Sequence, residues 1–317
     1  MLDTSQRKTI LDQARAALAA ADRLQHCTRL SIEKMVSRSG KVQPELLEQD
    51  QFAAHGFAWQ TTYVEALRQT LDWATRLNET NELGDVEIAI LRLGFAEYLA
   101  QLSGGIPMSQ TEIVRPTDMG VSPDDANIFR GDPAVAILMD SRTTESERRT
   151  LAFAAAEGRF GALALEDSIL EATRAEFIRF GAAKIAPNAQ QWHSQDELIP
   201  IALVEELAQM GVFGLTIPEE FGGLGLGKTA MCVVSEALSG AYLGVGSLGT
   251  RSEIAAEVIR LGGTPEQKQR WLPSIAAGST LPTAVFTEPN TGSDLGSLRT
   301  RAVREGDNYR IYGAKTW

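Results

Sequence analysis

The chain has 317 residues, 44% of them hydrophobic, and 30 Lys+Arg against 41 Asp+Glu give a formal net charge of −11. That length favours about two domains, and that apolar content sustains a packed core. The acidic balance argues against a nucleic acid or an anionic membrane as partner.

No apolar run approaches the roughly 20 residues of a membrane span, and the polar N-terminus carries no signal-like apolar segment. The expected location is cytoplasmic, with no membrane partner. Cys27 and Cys232 stand apart and are expected to be reduced, buried small hydrophobes. His26, His55 and His193 lack ligand spacing, so no metal site is expected.

Residues 1–105 read as a helical bundle. Ile10, Leu11, Ala14, Ala17 and Leu18 follow helical spacing behind a polar cap region at Asp3 to Ser5. Phe57 to Leu77 puts Val64, Leu67, Leu71 and Ala74 on one face, and Val86 to Leu102 repeats the pattern with Ile90, Leu93 and Leu99. Three such stripes bury one another most simply in a bundle, with Trp59, Tyr63 and Trp73 as core aromatics. Residues 106–160 read as a linker and wrapping segment, because the composition from Ser103 to Pro133 turns to Gly, Pro, Ser and Asp. Within it, Ala134 to Asp140 suits a short strand or a buried helical turn, and Thr144 to Phe160 a charged helix.

Residues 161–280 read as a second helical domain. Helices are expected at Leu165 to Ala183, Pro200 to Met210, Thr229 to Tyr242 and Arg251 to Leu261. A fifth starts at Thr264-Pro265-Glu266-Gln267, a capping box with Pro at the first helical position. Two glycine motifs in this region are set aside. Gly222 to Thr229 fits G-x-x-x-x-G-K-[ST], but Pro218-Glu219-Glu220 interrupts any strand leading into it. Gly244 to Gly249 fits G-x-G-x-x-G, but a helical stretch precedes it where a dinucleotide fingerprint needs a strand.

From residue 281 the pattern changes. Ala284-Val285-Phe286 suits a strand. The turn-rich loop Asn290 to Asp294 follows, and then two alternating runs, Leu298 to Arg304 and Tyr309 to Tyr312, joined by Glu305-Gly306-Asp307-Asn308. The fold class is therefore mainly α with a β-segment. Gly292 lets a ligand approach the backbone, and Thr287 and Ser293 offer hydroxyls. None of these is cationic, which suits a polar ring better than a free phosphate.

TEPNTGSD at 287–294, with Gly306, Tyr309, Gly313-Ala314-Lys315 and Trp317, resembles the signature of the acyl-CoA dehydrogenases. The resemblance starts near Leu163 and covers about half the chain. It implies that residues 1–105 are an N-terminal extension, 161–280 the family's N-terminal all-α domain, and 281–317 the incomplete start of its middle β-domain. It further implies FAD as cofactor, held by Ala284, Phe286, Thr287, Gly292, Ser293 and Trp317. Ser293, Gly249, Thr250 and Arg251 are then expected to face substrate. Arg251 either pairs with a substrate carboxylate or is a solvated or helix-bonding arginine. Glu288 belongs to the loop motif and is not expected to act as base. The catalytic glutamate is expected beyond Trp317, so residues 1–317 alone are expected to be inactive. The implied activity is α,β-dehydrogenation of a short branched dicarboxylic acyl-CoA, with electrons passed to electron-transfer flavoprotein and a homodimeric or homotetrameric assembly. Another acyl-CoA substrate, a same-fold flavin oxidase and a non-catalytic helical interaction module stay open.

Overall fold

The structure, a computed structural model, describes residues 3–165 and 167–316, apart from the side chains of Ser141 and Thr143. The chain divides into two compact units, Met1–Ala164 and Leu165–Trp317.

The first unit is built on α1 (Thr4–Val36). Asp3 caps it by accepting the Gln6 N–H at 2.8 Å, and Gln6 Oε1 accepts the Asp3 N–H at 2.9 Å. Two orphan donors of the first turn are thereby satisfied. Ile10, Leu11, Ala14, Ala17, Leu18, Ala21 and Leu24 line its buried stripe. A small hairpin, β1 (Ser37–Arg38) with β2 (Lys41–Val42), and the short α2 (Pro44–Gln49) turn the chain back into α3 (Gln51–Glu79) and then α4 (Asp85–Gly104). Val64, Leu67, Leu71 and Ala74 of α3 are buried with Leu91, Phe95 and Leu99 of α4 in one core. Phe57, Trp59, Tyr63 and Trp73 pack partly buried against it.

The stretch read as a surface linker is instead built into this unit. β3 (Ile106–Pro107) pairs with β4 (Ile113–Val114), and a 3₁₀ turn (Pro116–Met119) leads to α5 (Pro123–Arg130), α6 (Pro133–Leu138) and α7 (Ser141–Ala156). Ile106, Val114, Met119, Val121, Phe129, Val135 and Leu138 join the same core as α1, α3 and α4. The Ser, Asp and Pro residues that suggested a linker are helix starts. Ser122 caps α5 through the Asp125 N–H, Asp132 caps α6 through the Ala134 N–H, and Pro123 and Pro133 hold the first helical positions. Residues 134–138 are a helical turn, not a strand.

The unit ends in a clamp. The half-exposed backbone of Ala162 gives its N–H to the buried Glu87 carboxylate at 2.9 Å, and its carbonyl accepts the Trp73 indole N–H at 2.9 Å. Glu87 also accepts the Gly84 N–H at 3.0 Å at the start of α4. Two residues later Ala164 takes φ +54°, a left-handed conformation unusual for a residue with a Cβ.

In the second unit α8 (Ser168–Phe180) runs through a π turn (Gly181–Ile185) into α9 (Ala186–Ser194). Pro187 lies two residues past the end of the π turn. It lacks the N–H that an α-helical bond needs, and its ring excludes the carbonyl four residues back. The helix therefore carries a bulge there and continues past the Ala183 end expected from sequence. α10 (Ile201–Gln209), α11 (Lys228–Ala241), α12 (Leu243–Gly262) and α13 (Pro265–Ala276) complete the helical part. The Thr264 capping box on α13 is present, with the Gln267 N–H on Thr264 Oγ1 at 3.3 Å and the Thr264 N–H on Gln267 Oε1 at 2.9 Å. Phe177, Ile185, Leu207, Phe213, Val234, Leu238 and Val245 form one core, and Ile217, Leu272 and Ile275 a smaller one.

Three expectations are corrected. The helix expected at Arg251 to Leu261 begins eight residues earlier, so residues 243–250 are the first two turns of α12 itself. Gly246 packs so tightly on α11 that an added Cβ would lie 2.0 Å from Ser239 Oγ and 2.6 Å from Ser239 N. Glycine is there for helix contact. Ala284-Val285-Phe286 is not a strand. A strand is defined by its ladder partner, and among the described residues none pairs with it. Cys27 is half-buried and Cys232 exposed, both as free thiols. The buried stripe of α11 runs through Ala230, Met231, Val233, Val234 and Leu238, leaving Cys232 on the other face.

The rejected phosphate-loop motif stays rejected. Gly222 to Thr229 runs from a 3₁₀ turn (Glu219–Phe221) into α11, and the Lys228 ammonium is engaged by Glu253 and Glu257. Among the described residues the sheets are two-stranded antiparallel hairpins only.

Candidate functional site

The loop from Thr287 to Thr300 is organised around Glu288. Its backbone closes a tight turn with Thr291, N–H to carbonyl at 2.8 Å in one direction and 3.1 Å in the other. Its side chain turns inward and is 7% exposed as a residue. Oε2 accepts the Arg299 N–H at 2.8 Å, and Oε1 accepts the Thr300 N–H at 2.9 Å and the Lys315 ammonium at 3.0 Å. These donors, the Arg299 N–H foremost and then Thr300 and Lys315, hold the carboxyl down to about 2. Lys315 also donates to the Phe286 carbonyl at 2.9 Å, and the Thr316 N–H donates to the Thr287 carbonyl at 3.0 Å.

The hairpin follows as β5 (Arg301–Glu305) and β6 (Asn308–Tyr312), in register Arg301↔Tyr312 to Glu305↔Asn308. Gly306, at φ +64°, supplies the left-handed residue of its turn. Gly313 brings the returning strand against the loop. A Cβ there would lie 2.1 Å from Thr300 Oγ1.

The residues expected to hold flavin lie on this loop and its approach. Thr287, Gly292, Ser293 and Phe286 are exposed, and Ala284 is half-buried. Among the described residues no hydrogen bond engages the Thr287 or Ser293 hydroxyl. A Cβ on Gly292 would meet only Thr287 Cγ2, at 4.0 Å. An open backbone edge with two free hydroxyls, and with the adjoining Lys315 ammonium paired to Glu288, fits a neutral polar ring. The cleft of about 360 Å³ beside the loop is a different feature, lined by Glu288, Asn290, Asp294, Arg299 and Thr300 but by none of those five. Trp317 lies outside the described residues.

The residues expected to face substrate are not brought together on one surface. Gly249 is buried, and an added Cβ would sit 3.0 Å from Val212 Cγ1. Thr250 Oγ1 donates to the Ser247 carbonyl at 2.9 Å. The exposed Arg251 donates to the same carbonyl at 2.8 Å and so bonds its own helix. Sequence reasoning placed Glu288 in the motif but missed what it does. The one signal available was an acidic residue inside an otherwise neutral turn.

Residues 169–279 match the family described as Acyl-CoA dehydrogenase, N-terminal domain. Over this stretch the chain is similar to that domain. Over 314 residues the chain is 52% identical to a (2S)-methylsuccinyl-CoA dehydrogenase of Cereibacter sphaeroides, an alignment covering 97% of this chain and 56% of that protein. It is 33% identical over 138 residues to a mitochondrial isobutyryl-CoA dehydrogenase of Dictyostelium discoideum, covering 44% of this chain and 33% of that protein. Among solved structures, a glutaryl-CoA dehydrogenase of Mycobacterium smegmatis in complex with FADH2 aligns with a TM-score of 0.44 at 28% identity, over 48% of this chain and 39% of that one. The chain thus spans about half the length of the first of these relatives and a smaller share of the others. The stretch matched by the family runs from the start of α8 through α13. The match to the Cereibacter protein also takes in the bundle of the first unit, since it leaves only 3% of the chain unaligned.

Proposed function

We propose that the full-length protein is an FAD-dependent enzyme oxidising (2S)-methylsuccinyl-CoA to mesaconyl-CoA, a step of the ethylmalonyl-CoA pathway, with electron-transfer flavoprotein as electron acceptor. The observation that carries this reading is the 52% identity over 97% of the chain, which extends through both units. FAD, when bound, supplies the hydride acceptor. The chain's own part is placement. Thr287 gives its hydroxyl and N–H to the ring edge, with Ala284 and Phe286 alongside. Gly292 admits the ring to the backbone, and Ser293 lies where cofactor and thioester meet. Trp317 is the residue assigned to cover the ring. The proton-accepting glutamate belongs to the longer protein beyond residue 317, and the assembly is a homodimer or homotetramer in the cytoplasm.

Gly249, Thr250 and Arg251 are the substrate side of this proposal. The exposed Arg251 guanidinium leaves the Ser247 carbonyl to take the free carboxylate of a dicarboxylic thioester. A guanidinium–carboxylate pair of this kind is charge-assisted and directional. Arg251→Gln in the full-length protein raises KM for methylsuccinyl-CoA about tenfold relative to butyryl-CoA. An unchanged ratio removes Arg251 from the site and leaves it as a helix-bonding arginine.

The whole reading is tested by the visible spectrum of the purified full-length protein. The expected result is a bound-flavin spectrum that bleaches on (2S)-methylsuccinyl-CoA at lower concentration than on butyryl-CoA. A colourless protein that takes up no FAD, or bleaching indifferent to the second carboxylate, overturns it.

A further inference from the structure

Glu288 is unlike its surroundings. From Val285 to Ser297 every other residue is exposed or half-buried, and this carboxylate alone is buried. Burying a charge is unfavourable unless donors surround it. Here both oxygens are taken: Oε2 by the Arg299 N–H, and Oε1 by the Thr300 N–H and the Lys315 ammonium. The contacts span three stretches of chain. The carboxylate joins the start of the loop to its end at 299–300, and Lys315 joins both to the segment after β6. Lys315 and Thr316 bond the carbonyls of Phe286 and Thr287, so the peptide on each side of Thr287 is tied. The Thr291 bonds close the turn that leads to Gly292 and Ser293. Removing the carboxylate strands two N–H groups and an ammonium, and the only stretch they hold in common is the one bearing the free Thr287 and Ser293 hydroxyls.

We propose that Glu288, held by Lys315, is a positioning residue for the flavin: it fixes the loop that presents Thr287 and Ser293, and it takes no part as proton acceptor. The inference rests on the flavin reading above. The second half follows from the same geometry. Three of the roughly four acceptor sites of the carboxylate are already taken by Arg299, Thr300 and Lys315, and the residue is 7% exposed, which leaves it ill placed to accept a proton from substrate. Its low affinity for protons agrees, since donors that stabilise the anion make it a poor base.

The test uses the full-length protein with Glu288→Gln and Lys315→Met. The readouts are the FAD dissociation constant by fluorescence, the visible circular dichroism of bound flavin, and kcat and KM at saturating FAD. Glu288→Gln is expected to raise the FAD dissociation constant about tenfold and to alter the flavin dichroism. Lys315→Met is expected to act in the same direction by a smaller factor, because both backbone bonds to Glu288 remain. The kcat of Glu288→Gln with FAD saturating is expected to fall by less than about tenfold, against roughly 10²–10⁴ for loss of a general base. FAD affinity within about twofold of the parent and unchanged dichroism in both variants overturn the proposal. A kcat collapse in Glu288→Gln with FAD affinity intact overturns it too, by making the residue a base. If Glu288→Gln does not fold, Lys315→Met decides. A parent protein that binds no FAD sinks the flavin reading itself, and this inference with it, and is recognised because the parent fails and not only the variants.

Discussion

Glu288 has a carboxyl held at about 2 against an ordinary value of 4.5, with the Arg299 N–H the largest cause. The group binds its proton more weakly folded than unfolded. Its contribution to stability is therefore complete above pH 4.5 and is lost as pH falls toward 2. An acid titration followed by amide exchange at Arg299 and Thr300 should show the loop opening across that window in the parent. Glu288→Gln should show no pH-dependent step there and faster exchange already at neutral pH. None of this was legible in the sequence, because the partners lie 11, 12 and 27 residues away and only the folded loop brings them together. The hydroxyls of Thr287 and Ser293 and the freedom of Gly292 were legible, since residue type alone supplies them. The cysteines are a plainer case. Cys232 is exposed and Cys27 half-buried, so a thiol reagent under native conditions should modify Cys232 first. Cys232→Ser should abolish the fast phase.

At the scale of elements, the pair α11–α12 offers a matched test of two glycines. Gly246 faces Ser239, and its substitution by Ala forces a Cβ to within 2.6 Å of a backbone nitrogen that cannot swing aside. Gly246→Ala is expected to destabilise the protein by about 1–3 kcal/mol, as overpacking does. Gly240, on α11, is exposed with nothing within 4 Å of an added Cβ. Gly240→Ala is expected to stabilise by up to about 1 kcal/mol through helix propensity alone. Denaturant melts of the two variants give the signs. The stripes of α1 and α3 were readable because long helices repeat their apolar positions often enough to show the period. On α4 the stripe was read through Ile90, Leu93 and Leu99, whereas Ile90 and Leu93 are half-buried and Leu91, Phe95 and Leu99 fill the core, because this helix is apolar on most of its surface. The short helices α5 and α6 were not readable. Each has one or two buried residues, too few for a period, and their caps share the composition of a linker. The start of α12 was placed eight residues too late because glycine usually marks a turn, whereas here it marks contact between two helices.

For the molecule as a whole, each unit holds a core of its own. Phe95 is fully buried in the first and Phe213 nearly so in the second. Phe95→Ala is expected to cost the first unit about 3–5 kcal/mol. Trp59 and Trp73 report its unfolding, and Trp192, in the core of the second unit, serves as the reference signal. The all-helical character of most of the chain was legible from periodicity. The inclusion of residues 106–160 in the first core was not, because only tertiary burial of Val114, Phe129, Val135 and Leu138 reveals it. The clamp on Ala162 fixes how such a molecule can be instrumented. With its amide and carbonyl both held, by Glu87 and Trp73, a spin label or dye at Phe160 reports on the first unit, whereas one at Ile169 reports on the second.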